Sequence, residues 1–510
     1  MSNRLKHVTA KVWNTRENPG TFPELTDDDV KDPWLSGDRK KVGVCFSGGG
    51  SRSAAATLGQ LCALNELQLI DKIGYISSVS GGSWCSLPFT YLPEHHNDSE
   101  FLGRYLEPGD IHLDGADSFD PQSFGALLAD CQVIDDVIKQ GLKGAGDETF
   151  SRAICDELMN QLGINGWPQF FTRSEESYRH IIERNPKMTR SDFQIARPRR
   201  PFHIAGGTIM RLSNSPALEK FHFEMTPLYV GVNSYFPMAG SGSRHIGGGY
   251  VEPFGFDSNE PDELPDSSGY VKVRVGSERH RFSLSDVMGT TGAAPAEFTD
   301  RWMLGLMGFP EFRYWSPSEP TRSAREYDFG DGGHLENLGL LALVKRNVEK
   351  IIVFINTRDE LTNTSINDSI PTFFQGCAPK GWSINEVFPK AEYETLRSAL
   401  LAKKHAEKTV MHRMKHTVKS NSHYGIEGGR QIEILWVYNE RVTEWERKLP
   451  QATRDEIAHG SLSNFPHYRT FFQNATGIID LSKRQVTLLK QLSAWNVMSN
   501  RDVFEQMLTP

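Results

Sequence analysis

Residues 41–84, KVGVCFSGGGSRSAAATLGQLCALNELQLIDKIGYISSVSGGSW, decide how this chain folds. Val42 to Phe46 reads as a strand, Gly48-Gly49-Gly50 as a loop, about Arg52 to Leu69 as a helix, and Ile73 to Val79 as a second strand ending in a sharp turn at Ser80. That is one βαβ unit. Such crossovers are right-handed and return the chain to a parallel neighbour, so the glycine loop and the Ser80 turn are expected side by side at one edge of a sheet. A nucleophile and a set of backbone donors would then face one cleft.

The composition limits what that cleft can belong to. With 510 residues the chain can bury a large core, and its net charge of −8 argues against a general nucleic-acid binder. Six cysteines, Cys45, Cys62, Cys85, Cys131, Cys155 and Cys377, show no CxxC spacing, so neither a zinc site nor a disulfide framework is expected. The first thirty residues hold no apolar run resembling a signal peptide, and no eighteen-residue apolar run follows. The expectation is a soluble, cytoplasmic protein.

Residues 1–38 are polar and contain proline, and are expected as an extension on the surface. Residues 39–360 are read as a catalytic domain, interrupted at about 96–200 by an insertion whose apolar spacing is helical: Phe124-Leu127-Leu128, Cys131-Ile134-Val137-Ile138 and Ile154-Leu158-Leu162. Core strands resume at 201–207 and 228–232, and the Gly- and Ser-rich stretch 239–270 reads as a long surface loop. FSLSDVMGTTGAAPAEF, 282–298, is a small-residue helix expected at the cleft. YDFGDGGHLENLGLLALVKRNVEKIIVFINT, 327–357, reads as a second β-α-β alternation. Residues 361–510 are expected to pack on the core, with charged helices at 391–419 and 481–495 around a strand at 431–438.

A nucleophile elbow needs small residues two before and two after its serine, and Ser78-Val79-Ser80-Gly81-Gly82 has serine in place of the first glycine. The glycine loop could be a phosphate cradle or an oxyanion hole. Ser51-Arg52-Ser53 lacks the lysine of a P-loop, and GGGSRS lacks dinucleotide spacing, so an oxyanion hole at Gly48, Gly49 and Gly50 fits better. Asp331, in FGDGGH after a short strand, is the candidate base, against its reading as a helix cap. Arg52 could steady the loop or meet a substrate phosphate. A histidine base would come from His334, His423 or His467. Arg197, Arg199 and Arg200 in ARPRRP could meet lipid head groups or form an ordinary charged surface.

At these residues the chain resembles the patatin-like and cytosolic phospholipase A superfamily of lipid acyl hydrolases. The GGGxR loop matches Gly48 to Arg52, the elbow matches Ser80 in SSVSGGSW, and the D-G-G turn matches Asp331. FHFEMTPLYVGV (221–232) and LSDVMGTTGAA (284–294) are similar to segments of the cytosolic phospholipase branch. The resemblance spans roughly 40–95 and 200–360; Ser78 and Ser47 depart from it. It implies a three-layer α/β core with a mostly parallel sheet, a Ser80–Asp331 dyad working without histidine, metal or organic cofactor, and a phospholipid or lysophospholipid substrate met by transient interfacial membrane contact. Gly49 and Gly50 would donate to the oxyanion, and Gly48 would shape the loop. Residues 1–38 are too few for a calcium-binding docking domain, so calcium-driven membrane docking is not expected. A non-catalytic lipid-binding protein, or an acyltransferase or other serine hydrolase on the same fold, stays open.

Overall fold

The computed structural model describes residues 7–113, 123–129, 131, 148–212, 219–237, 245–275, 281–293, 310–379, 382–469 and 481–509. Its strands are β1 (Val8–Asn14), β2 (Val42–Phe46), β3 (Tyr75–Val79), β4 (Phe170–Thr172), β5 (Phe193–Ile195), β6 (Phe202–Leu212), β7 (Phe221–Met225), β8 (Val230–Pro237), β9 (His245–Val251), β10 (Tyr270–Val273), β11 (Glu311–Tyr314), β12 (Arg325–Asp331), β13 (Lys350–Ile355), β14 (Met411–Thr417) and β15 (Gln431–Tyr438). All but β4 and β5 join one sheet, in the order β10-β1-β9-β8-β7-β6-β3-β2-β13-β15-β14, with β12 pairing both β6 and β11.

The heart of that sheet is parallel: β15, β13, β2, β3 and β6 run together. Antiparallel strands extend it on both sides. Strands covered on both faces should be apolar throughout, and β13 is. Its Ile351, Val353 and Ile355 belong to one apolar cluster, while Ile352 and Phe354 belong to the other. The helices Gly50–Glu66 and Lys483–Met498 lie on the second side, packed so closely that a Cβ on Gly59 would come within 2.0 Å of the Lys490 carbonyl. The helices Leu340–Lys345 and Lys390–His405 contribute to the first. The architecture is three-layer α/β.

Several local expectations need correction. The segment before the glycine loop does not simply lie on the surface: β1 pairs with β9 and β10, and Phe22, Glu24 and Leu35 are buried. The glycine-rich stretch after 239 contains β9, which reads as loop by composition but is buried between β1 and β8. The helix expected over 391–419 stops at His405, and β14 follows as an antiparallel partner of β15. The 327–357 stretch does alternate strand, helix and strand, with β12, the helix Leu340–Lys345 and β13, but β12 runs antiparallel to β6 and does not pair with β13. The insertion is helical at Phe124–Ala129 and Thr149–Leu158 but also carries the β4–β5 pair; Ile134, Val137 and Ile138 lie outside the described residues.

Glu24, from the N-terminal segment, meets Arg346 at 2.8 Å inside the protein. Glu224 on β7 lies 2.8 Å from Arg346 and 2.5 Å from Lys345, so two carboxylates and two cations balance in a buried cluster. Burial works against the charges of Glu224, Lys345 and Arg346, yet Arg346 and Lys345 hold the Glu224 carboxyl well below the usual glutamate range. Removing one partner of such a group leaves buried charge uncompensated, at a cost of about 3–5 kcal/mol. Glu224→Ala is therefore expected to unfold at markedly lower denaturant concentration than the wild type. A depressed carboxyl contributes stability above its unfolded pKa and loses it as pH falls through its folded one. The wild-type advantage over Glu224→Ala should accordingly shrink in strong acid.

Candidate active site

The site is assembled by β6. Along one edge, β6 pairs first with β3, ending at Val79 opposite Gly206, and then with β12, ending at Asp331 opposite Gly207. The two strands approach end to end from opposite directions. Ser80, which follows Val79, and Asp331 therefore meet at one cavity, and the Ser80 hydroxyl is near enough to the Asp331 carboxyl to favour its ionised form. Neither motif alone would place them together, since 251 positions separate the two numbers.

Ser80 has φ 51° and ψ −127°, a conformation that costs an L-residue of order 1–3 kcal/mol and persists only where its surroundings enforce it. Those surroundings are backbone. The helix Gly81–Tyr91 starts immediately, and a Cβ on Gly81 would sit 1.9 Å from the Gly50 carbonyl, so only glycine lets the two loops touch. The Ser80 N–H donates to Thr291 Oγ1 at 2.9 Å, and Thr291 donates in turn to the Gly206 carbonyl at 2.8 Å. Ser78, the departure from the elbow pattern, is used: its hydroxyl lies within 3.0 Å of Ser83 Oγ, Ser86 Oγ and His203 Nε2 in a buried polar cluster beneath the turn. Burial pushes His203 down to about 3, so this imidazole is neutral.

Asp331 is fixed at both ends. Its Oδ1 accepts the Gly333 N–H at 2.7 Å and its carbonyl accepts Thr208 Oγ1 at 2.9 Å. Burial raises the Asp331 pKa above the ordinary aspartate value, opposed by His334, the Gly333 amide and the Ser80 hydroxyl. Such a carboxylate is a stronger base than one in water.

The glycine loop behaves unevenly. The Gly48 N–H donates to the Asn337 carbonyl at 2.9 Å, so this amide is engaged within the protein. A Cβ there would stand 2.1 Å from Asn337 Oδ1 and 3.1 Å from Ser80 Cβ. Gly49 and Gly50 line the cavity beside Ser80, with Gly50 opening the helix Gly50–Glu66, where backbone N–H groups have no intrahelical acceptor. Arg52 is buried and spends its guanidinium on two main-chain carbonyls, Asn356 at 3.1 Å and Tyr468 at 2.7 Å. Burial, with Arg358 nearby, pushes its pKa down to about 10. Through those two carbonyls Arg52 ties the first turn of the helix Gly50–Glu66 to the segments at Asn356 and Tyr468.

The cavity has a volume of about 380 Å³ and is bounded by Ser80, Asp331, the glycine loop, Asn337, Thr357, Arg358, Asp359, Asn367 and Trp382. Sequence reading missed the last six. Thr357 to Asp359 could have been found, because ligands in parallel α/β sheets gather beyond the carboxyl ends of the strands, and this segment follows β13. His334 also lines the cavity, with its Nε2 3.4 Å from the Ala293 carbonyl. His423 stacks on Phe236 and His467 faces Asn439, both away from this cavity. Arg200 and Arg197 pair with Asp98, and Arg199 with Asp71, so the ARPRRP cluster is tied into the protein. Among the described residues no group of three or more His, Cys, Asp or Glu side chains could hold a metal ion, and no helix is long and apolar enough to cross a membrane.

Thr291 carries a prediction. Thr291→Val keeps the shape but removes the acceptor of the Ser80 amide and leaves that amide buried, so the turn loses its tether. Any turnover should fall about tenfold or more in kcat with little change in KM, and Thr291→Ser should restore most of it; steady-state kinetics on both variants checks this.

No protein-family model matches the chain. Over 50 residues it is 46% identical to human (Homo sapiens) cytosolic phospholipase A2 zeta, and over 44 residues 50% identical to the Mus musculus protein of that name. These stretches cover 10% and 9% of this chain, and only 6% and 5% of those relatives. Human GIVD cytosolic phospholipase A2 superposes on 92% of this chain with 15% identity and a TM-score of 0.49; this covers 60% of the solved chain. The same human protein in complex with methyl gamma-linolenyl fluorophosphonate gives 13% identity, a TM-score of 0.45, and 92% and 59% coverage. The local sequence likeness falls to the family that the three motifs resemble, the cytosolic phospholipase A branch of the patatin-like superfamily.

Proposed function

We propose that this chain is a lipid acyl hydrolase of the phospholipase A or lysophospholipase type. The observation that carries the reading is the meeting of Ser80 and Asp331 at the facing ends of β3 and β12, inside a cavity that the glycine loop also lines. Asp331 takes the hydroxyl proton as Ser80 Oγ attacks the carbonyl carbon of a fatty-acyl ester. The tetrahedral oxygen is held by the backbone amides of Gly49 and Gly50, where each aligned donor contributes about 3–4 kcal/mol to lowering the barrier. Collapse expels the alcohol, which regains the proton from Asp331. Water then attacks the acyl-serine, again deprotonated by Asp331, and fatty acid leaves. The chemistry uses the chain's own groups throughout.

The test is fatty-acid release by the purified protein from mixed phospholipid vesicles and from lysophospholipid micelles, without added calcium. Release of free fatty acid supports the reading. Vesicle binding with no product supports a non-catalytic lipid binder instead, and transfer of the acyl chain to a second lipid supports an acyltransferase.

A further inference from the structure

The cavity contains two arginines in different situations. Arg52 is enclosed and committed to the Asn356 and Tyr468 carbonyls. Arg358 stands on the turn after β13, with its side chain 47% exposed. Among the described residues its one ion pair is a 3.9 Å contact with the neighbouring Asp359. The turn beneath it is braced. Asn367 Nδ2 donates to Thr357 Oγ1 at 2.9 Å and to Asp359 Oδ2 at 2.8 Å, Thr357 Oγ1 donates to Asp359 Oδ2 at 2.8 Å, and the Tyr438 hydroxyl donates to the Asp359 carbonyl at 2.8 Å. The Asn356 N–H donates to Ser47 Oγ at 2.8 Å, which locks this turn to the residue before the glycine loop. A half-exposed guanidinium on a braced turn, sharing a cavity with Ser80, suits an anionic group of the substrate; arginine's fork matches phosphate geometry.

We propose that Arg358, and not Arg52, binds the phosphodiester of the substrate head group while Ser80 faces the acyl ester. Asp359 borders the same cavity, so the subsite carries one charge of each sign. It fits a head group bearing both a phosphodiester and an ammonium, and it repels a phosphate monoester with its second negative charge. This rests on the lipid-hydrolase reading, and the experiment separates the two.

Three substrates with one acyl chain are compared: lysophosphatidylcholine, lysophosphatidic acid and monoacylglycerol. The wild type is expected to prefer lysophosphatidylcholine over lysophosphatidic acid. Arg358→Ala should raise KM for lysophosphatidylcholine about tenfold, at least five times the change for monoacylglycerol, and Arg358→Lys should recover part of the loss. Equal effects on lysophosphatidylcholine and monoacylglycerol would overturn the assignment, and a wild-type preference for lysophosphatidic acid would overturn the zwitterionic subsite. Calorimetric binding of glycerophosphocholine, which carries the head group without an acyl ester, needs no turnover. If the wild type cleaves none of the three substrates but binds glycerophosphocholine in an Arg358-dependent way, the hydrolase reading fails and the subsite stands. If Arg358→Ala binds it as well as the wild type does, the subsite fails.

Discussion

Ser80→Ala is expected to abolish fatty-acid release, lowering kcat by at least roughly a thousandfold while leaving the fold intact. The size of the effect follows from covalent catalysis: without Oγ no acyl-enzyme forms, and what remains is the contribution of donors and binding alone. The substitution is also structurally mild. The strained backbone at Ser80 is held by its amide bond to Thr291 and by the close approach of Gly81 to Gly50, and neither uses the hydroxyl. Melting temperature should therefore change little. A variant that loses activity because it has unfolded would show a collapsed thermal transition, so the two measurements together separate chemistry from stability.

Asp331→Asn should cost nearly as much, about a thousandfold in kcat, because it keeps the side-chain shape and an acceptor for the Gly333 N–H but removes the base. The pH dependence gives an independent handle. The carboxyl is active when ionised, and burial raises its pKa, so the acid limb of kcat/KM should lie above the ordinary aspartate range and be absent from the residual activity of Asp331→Asn. The stability consequence has the opposite sense. A carboxyl with a raised folded pKa contributes stability below its unfolded pKa and loses that contribution as pH rises through the folded one. At alkaline pH Asp331→Asn should thus melt at or above the wild-type temperature. An inactive variant that is no less stable would mark Asp331 as a residue retained for chemistry at the expense of stability. If the acid limb persists in the Asp331→Asn residual activity and vanishes in His334→Gln, the imidazole lining the cavity is the titrating group.

The parts of this protein that local sequence dictates were readable. The β2–helix–β3 unit reports itself through a buried apolar strand, a glycine loop and a sharp serine turn within forty-odd residues, and each lies where it was expected. Asp331 stood out because a short strand followed by two glycines brings its carboxylate to the strand end, and in the structure that carboxylate also caps the turn Gly332–His334 through the Gly333 N–H, the other use the sequence allowed. What could not be read was pairing across long separations. β1 has clear alternation, with Val8, Ala10 and Val12 buried, yet its partners are a glycine-rich strand and a short one more than two hundred residues away. β14 reads MHRMKHT, whose charges continue the polar pattern of the preceding helix, and only the register with β15 makes it a strand. The end-to-end meeting of β3 and β12 on β6 is a property of topology, and no spacing in the sequence announces it. Arg52 and Gly48 show the same limit at finer grain. Their motif brings them to the cavity, but the Asn356, Tyr468 and Asn337 carbonyls that occupy them come from elsewhere in the chain.

The central claim is that Ser80, activated by Asp331, is the group that attacks. Its most direct test is treatment of the full chain with a long-chain alkyl fluorophosphonate, followed by peptide mass mapping of the wild type and Asp331→Asn. The account predicts a single adduct on the peptide containing Ser80, formed at least about a hundredfold more slowly in Asp331→Asn. An adduct on a different serine, or undiminished labelling of Ser80 when Asp331 is replaced, would contradict it.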